Sequence, residues 1–219
     1  MNDLLELTSK QREFLRLRIA KWYGLVRVFV HPMFERWHFP PGEYSKHPDH
    51  KRLVEIEKAL SRLVTLPERK TPPIIIMEED YRLENLKNWL AQNPFGQSQR
   101  NVYYVRTWKN TSHPLVDPHS YYPPQWEPLV KRLGSVGVKK ILMGGMQFTA
   151  SAFGSDWTGK RPRVDYCVGI ALSYLSNDKA GKFNVDLSAL VDCSRSREFY
   201  IQCVNETRLK KQIQIAACP

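Results

Sequence analysis

Val138-Lys139-Lys140-Ile141-Leu142-Met143-Gly144-Gly145-Met146-Gln147 is the stretch that decides the fold. Gly137 precedes it, a short apolar run fills it and paired glycines close it, the pattern of a buried strand that runs out into a loop at a sheet rim. Three further segments upstream have the same character. Leu25 to Val30 is apolar and stops at His31-Pro32, Ile74 to Met77 is continuously apolar and β-branched, and Val102 to Val105 ends in Arg106.

Helical periodicity separates these strands. Leu53, Ile56, Leu60 and Leu63 share one face of a helix that Asp49 can cap. Leu83, Leu86 and Leu90 with Trp89 mark a second, and Trp126, Leu129, Val130 and Leu133 a third, for which Gly134 is the expected terminator. Strands alternating with helices in this way predict an α/β fold, a mostly parallel sheet with helices on both faces in a Rossmann-like three-layer arrangement.

The two ends of the chain are read differently. Leu4, Leu5, Leu7, Phe14, Leu15, Leu17, Ile19 and Trp22 recur near helical spacing among Lys10, Arg12, Arg16, Arg18 and Lys21, so residues 1–22 are expected to pack on the sheet as a basic amphipathic helix. Thr8 and Gln11 have capping-box spacing, which starts the regular helix near Ser9. Beyond the sheet, Tyr166 to Leu175 reads as a buried helix. Phe183 to Val191 alternates like a strand, and residues 198–204 and 212–216 follow suit, which predicts an antiparallel C-terminal extension over 183–216.

A chain of 219 residues can bury one substantial core. Its 15 prolines are dispersed and no linker or repeat interrupts it, so residues 1–219 are read as a single domain. No apolar run approaches the ~20 residues of a membrane span, and the N-terminus lacks the order of a secretory leader, so a cytoplasmic protein is expected. The four cysteines show no C-x-x-C spacing. A net charge of +11 raises the odds of an anionic partner, either a small phosphorylated ligand or nucleic acid. No motif fixes an oligomeric state.

In a parallel α/β sheet, ligands bind outside the carboxyl ends of the strands. Those ends carry His31, then Glu78-Glu79-Asp80, then Arg106 and Lys109, then Gly144, Gly145 and Gln147. His31 and Glu79 are candidates for proton transfer, and Asp80 is either a third or the cap of the following helix. Glu78 and Glu79 point to opposite sides of a continuing strand, so at most one faces the site. The glycines can bring backbone N–H groups to an anion or can form a tight turn at positive φ. Lys160 and Arg161, in a Gly- and Trp-containing loop, are candidate ligand-binding residues with Arg106, Lys109 and Gln147.

A divalent metal such as magnesium suits the acidic strand end. His31, His38, His47 and His50 crowd one segment with Glu35, Glu43 and Asp49, in none of the recognised ligand spacings. The order strand, Gly-Gly turn, Cys167-Val-x-x-Ala helix, strand resembles the cysteine hydrolases of the isochorismatase type over about the last third of the domain. That resemblance implies a nucleophilic Cys167 with Glu79 or Asp80 and Lys109 as its partners, but here some 20 residues separate the glycines from the cysteine. A buried core thiol is the other reading of Cys167.

The functional expectation is an enzyme, a hydrolase or transferase, acting on a phosphorylated or nucleotide-like small molecule. A nucleic-acid-binding module and a protein-interaction domain that uses the N-terminal helix are the alternatives.

Overall fold

The computed structural model describes residues 2–32, 44–46, 50–78, 80–92, 101–106, 126–145, 171, 175 and 183–191. Among the described residues six strands form one sheet: β1 (Asn2–Asp3), β2 (Leu25–Val30), β3 (Ile74–Glu78), β4 (Val102–Arg106), β5 (Lys140–Gly145) and β6 (Asn184–Val191). Their order is β1-β4-β3-β2-β5-β6, and every pairing is parallel. The helices are α1 (Ser9–Lys21), α2 (His50–Thr65), α3 (Asp80–Gln92) and α4 (Trp126–Ser135), and a short 3₁₀ turn covers Tyr44–Lys46.

Chain direction explains which face each helix covers. The steps β2 to β3 and β3 to β4 move one way along the sheet, whereas β1 to β2, β4 to β5 and β5 to β6 move the other way. Crossovers of one hand must then put α2 and α3 on one face, and α1 and α4 on the opposite face. The two cores follow this division. Phe29, Ile74, Ile76, Val102 and Tyr104 pack with Leu60 and Val64 of α2 and Leu83, Leu86 and Leu90 of α3. Val26, Val28, Ile75, Met77, Val105, Ile141 and Met143 pack with Leu15 and Ile19 of α1, Leu129 and Leu133 of α4, and Ala171 and Leu175. The fold is therefore the α/β three-layer sandwich expected, and β3 is buried along its whole length as a central parallel strand should be.

Local signals behave as their chemistry requires. At the start of α1 the Gln11 amide donates to the Thr8 hydroxyl oxygen (3.3 Å) while the Thr8 amide donates to the Gln11 side-chain oxygen (2.9 Å). α4 ends in a Schellman motif, but Gly134 lies inside the helix. The left-handed position belongs to Gly137 (φ +85°), with Val138 N–H donating to the Leu133 carbonyl (3.0 Å) and Gly137 N–H to the Gly134 carbonyl (3.0 Å).

Three expectations are corrected. Residues 2–3 form an edge strand instead of helix, and Leu4 and Leu7 enter the core ahead of Ser9. The apolar residues of α1 do not share one face: Leu15 and Ile19 are buried, whereas Phe14 and Leu17 are exposed and Arg18 is buried in their place. Finally, β6, expected to open an antiparallel extension, pairs parallel with β5. Residues 198–216 lie outside the described residues.

Candidate active site at the carboxyl ends of the strands

Counting from β2, the sheet grows outward through β3 and β4 on one side and through β5 and β6 on the other. The reversal falls between β2 and β5. In doubly wound sheets the connections leaving two such strands diverge to opposite faces, and a crevice opens between them at the carboxyl ends.

Register fixes what stands there. Val30 pairs with Met77 of β3 and Gly145 of β5, and the His31 amide continues the ladder by donating to the Met77 carbonyl (2.9 Å). Glu78 pairs with Arg106 of β4. One step beyond the Val30–Met77 pair, His31, Glu78 and Arg106 therefore occupy a single row across three adjacent strand ends. Glu78 is fully buried and His31 nearly so, while Arg106 is partly open to solvent. His31 has φ +43°, a conformation that turns the chain sharply off the strand. At the outer end of the row, Asp3 of β1 accepts the Leu5 amide (2.9 Å) and lies 3.5 Å from the Arg106 Nε. A carboxylate from the edge strand thus anchors the guanidinium stem on one side.

Glycine at 145 has a packing reason. Its φ is +112°, and a Cβ built there would sit on the Val30 carbonyl oxygen, 2.6 Å from the Val30 nitrogen. The close approach of β2 and β5 requires the bare backbone. Gly144 and Gly145 are the last residues of β5 and are buried, and at Gly144 the ladder with β6 slips, Met143 pairing with Leu187 and Gly145 with Val191.

The remaining candidates divide by location. Asp80 is the first residue of α3, one position inside the cap, where a carboxylate faces the positive end of the helix. Glu79, Lys109, Gln147, Lys160, Arg161 and Cys167, and with them His38, His47, Glu35, Glu43 and Asp49, lie outside the described residues. Among the described residues no group of three or more His, Cys, Asp or Glu side chains is gathered closely enough to hold a metal ion. Nor is any described helix long and apolar enough to cross a membrane.

Glu78 was the residue less readily singled out from sequence. Its signal is the apolar β3 run: a strand buried on both faces carries its burial one residue further when the ladder does, and here it extends to Arg106. Family models, curated proteins and solved structures were compared with the chain, and none matches.

Proposed function

We propose that the chain is an enzyme that binds a phosphorylated or nucleotide-like small molecule at the β2–β5 crevice and acts on it as a hydrolase or transferase. The observation that carries this reading is the register row of His31, Glu78 and Arg106 beside the reversal of strand order. Burying a carboxylate and an imidazole at a strand end is unfavourable unless specific partners compensate, and such groups concentrate at functional sites. His31 is the proton-transfer residue in this reading, Glu78 the carboxylate that fixes its tautomer or receives a proton, and Arg106 a contact for the anionic part of the ligand. Lys109, Gln147, Lys160 and Arg161 are the further ligand-binding candidates, and a divalent cation such as magnesium would suit a carboxylate facing phosphate.

Thermal unfolding against nucleotides, sugar phosphates and magnesium tests the reading. A ligand at ~100 times its dissociation constant stabilises by ~2.7 kcal/mol. For a domain of this size that raises Tm by about 5–10 °C. Glu78→Gln and His31→Asn, chosen because asparagine tolerates positive φ, should each remove the shift while remaining folded. A ligand shift that survives both substitutions would refute the site. A shift with nucleic acid alone that fades with salt would favour the binding-module reading, to which the +11 charge also lends support.

A further inference from the structure

The helix α1 ends as α4 does, but with the wrong residue for the job. Gly24 N–H donates to the Ile19 carbonyl and Tyr23 N–H to the Ala20 carbonyl, both at 3.0 Å, which makes Tyr23 the left-handed residue of a Schellman motif. Its φ is +54°. The equivalent position after α4 is Gly137, the residue without steric penalty there. Tyr23 gains no packing in exchange, since it is 93% exposed. A bulky side chain held in a disfavoured conformation with nothing folded against it points to an external contact.

Its surroundings indicate the kind of contact. Among the described residues the large exposed hydrophobic side chains are Phe14 (44%), Leu17 (51%) and Tyr23, all within α1 and its terminal turn. Lys10, Phe14, Leu17 and Lys21 follow one another at helical spacing along one stripe, so a lysine flanks the apolar pair at each end. Lys139 adjoins the turn: its amide donates to the Gly24 carbonyl (2.9 Å), and it is exposed. Lys10, Lys21 and Lys139 form no ion pair with a described residue, and the chain as a whole carries +11.

We propose that this surface docks the protein on an anionic lipid bilayer. A protein partner would need a pocket shaped to receive a projecting tyrosine, whereas the headgroup region accepts a convex ridge of aromatic and aliphatic side chains directly. Lysines beside the ridge add attraction to anionic headgroups and can extend their ammonium groups past the inserted side chains. Tyr23 lies before β2 and the candidate site lies after it, about 20 Å away across the six residues of that strand. Docking would therefore leave the site facing solution.

The test is co-sedimentation of the full chain with vesicles of phosphatidylcholine alone and of equal parts phosphatidylcholine and phosphatidylserine, at low and physiological salt. Binding is expected only to the mixed vesicles, weakening as salt rises, and Lys21→Gln should lower affinity roughly fivefold. Phe14→Ser with Leu17→Ser should abolish it. Tyr23→Gly is the decisive variant because it should raise Tm by relieving the backbone while weakening vesicle binding, so its loss of binding is not loss of fold. Equal binding to both vesicle types, or none, overturns the proposal. So does binding that depends on Lys21 but survives Tyr23→Gly and the Phe14/Leu17 double substitution, which would mark a surface for soluble polyanions.

Discussion

Replacing Gly145 with alanine tests how tightly β2 and β5 close beside the candidate site. The substitution meets two obstacles. At φ +112° a Cβ is strained whatever the space, and the atoms it would meet are Val30 backbone, with the nitrogen at 2.6 Å and the carbonyl carbon at 2.8 Å. Backbone in a central strand cannot swing aside as a side-chain tip can, so the strands must part. Left-handed strain contributes about 1–2 kcal/mol and overpacking about 1–3, a total of about 2–5 kcal/mol. That is a large share of the roughly 5–15 kcal/mol that holds a domain together. Two other glycines separate the terms. Gly137 has φ +85° but nothing within 4 Å of a built Cβ, so Gly137→Ala should show the conformational term alone, about 1 kcal/mol. Gly134 lies within α4 with open space and no positive φ, so Gly134→Ala should stabilise by about 0.5–1 kcal/mol. Urea titration at constant m ranks the three, and Tm should move about 2–4 °C for each kcal/mol. Should Gly145→Ala lose no more than Gly137→Ala, the collision with Val30 is not there and β2 and β5 are not closed as described.

Other perturbations have equally definite expectations. Arg18 is buried, donates to the Glu68 carbonyl and lies 3.6 Å from the Glu68 carboxylate, so Arg18→Met should cost about 1–3 kcal/mol in a denaturant titration; an unchanged midpoint would mean the contact does not pin α1 to the segment before β3. Burial pushes the Tyr103 hydroxyl up to about 12, with Glu68 adding to the effect and Arg18 opposing it. Because the folded value lies above the unfolded one, this contribution is whole below pH ~10 and is lost as pH rises to ~12; Tyr103→Phe should flatten the alkaline fall in stability by about 2 kcal/mol, and an identical slope in both proteins would sink the assignment. Thr8→Ala should destabilise by about 1 kcal/mol through loss of the capping box, with Thr8→Ser restoring most of it; a neutral Thr8→Ala would show that Gln11 caps unaided.

The fold was legible where one physical cause controls the residue pattern. Ile74 to Met77 lacks alternation because a central parallel strand is covered on both sides, and the Thr8/Gln11 pair specifies a helix start within three residues. It was not legible where two causes produce the same pattern. Alternation at Phe183, Val185 and Leu187 signals a strand with unequal faces, and an edge strand of a parallel sheet shows it as well as an antiparallel one; Val185 is buried while Asn184 is exposed. A two-residue edge strand has no period to detect, so Asn2–Asp3 passed for the start of a helix. In α1, Phe14 and Leu17 are apolar yet lie outside the core. Only their placement against Leu15 and Ile19 separates the two sets.

For the candidate site, the sequence gives strand ends but not their register. His31, Glu78 and Arg106 lie far apart in the chain, and a one-residue slip of β3 against either neighbour would replace Glu78 in the row with Met77 or Glu79. What sets that register is the hydrogen-bonded pairing of β3 with β2 and β4, a long-range property. The same geometry changes the meaning of the glycines. Gly145 is demanded by Val30 backbone, so its lack of a side chain is accounted for without a ligand. Gly145 therefore gives no support to a backbone phosphate cradle, and in the proposed site Arg106 is the described side chain that would meet an anion. Binding should therefore depend more strongly on salt and on Arg106 than it would at a backbone phosphate cradle, and a ligand whose affinity is insensitive to both would argue for a different site.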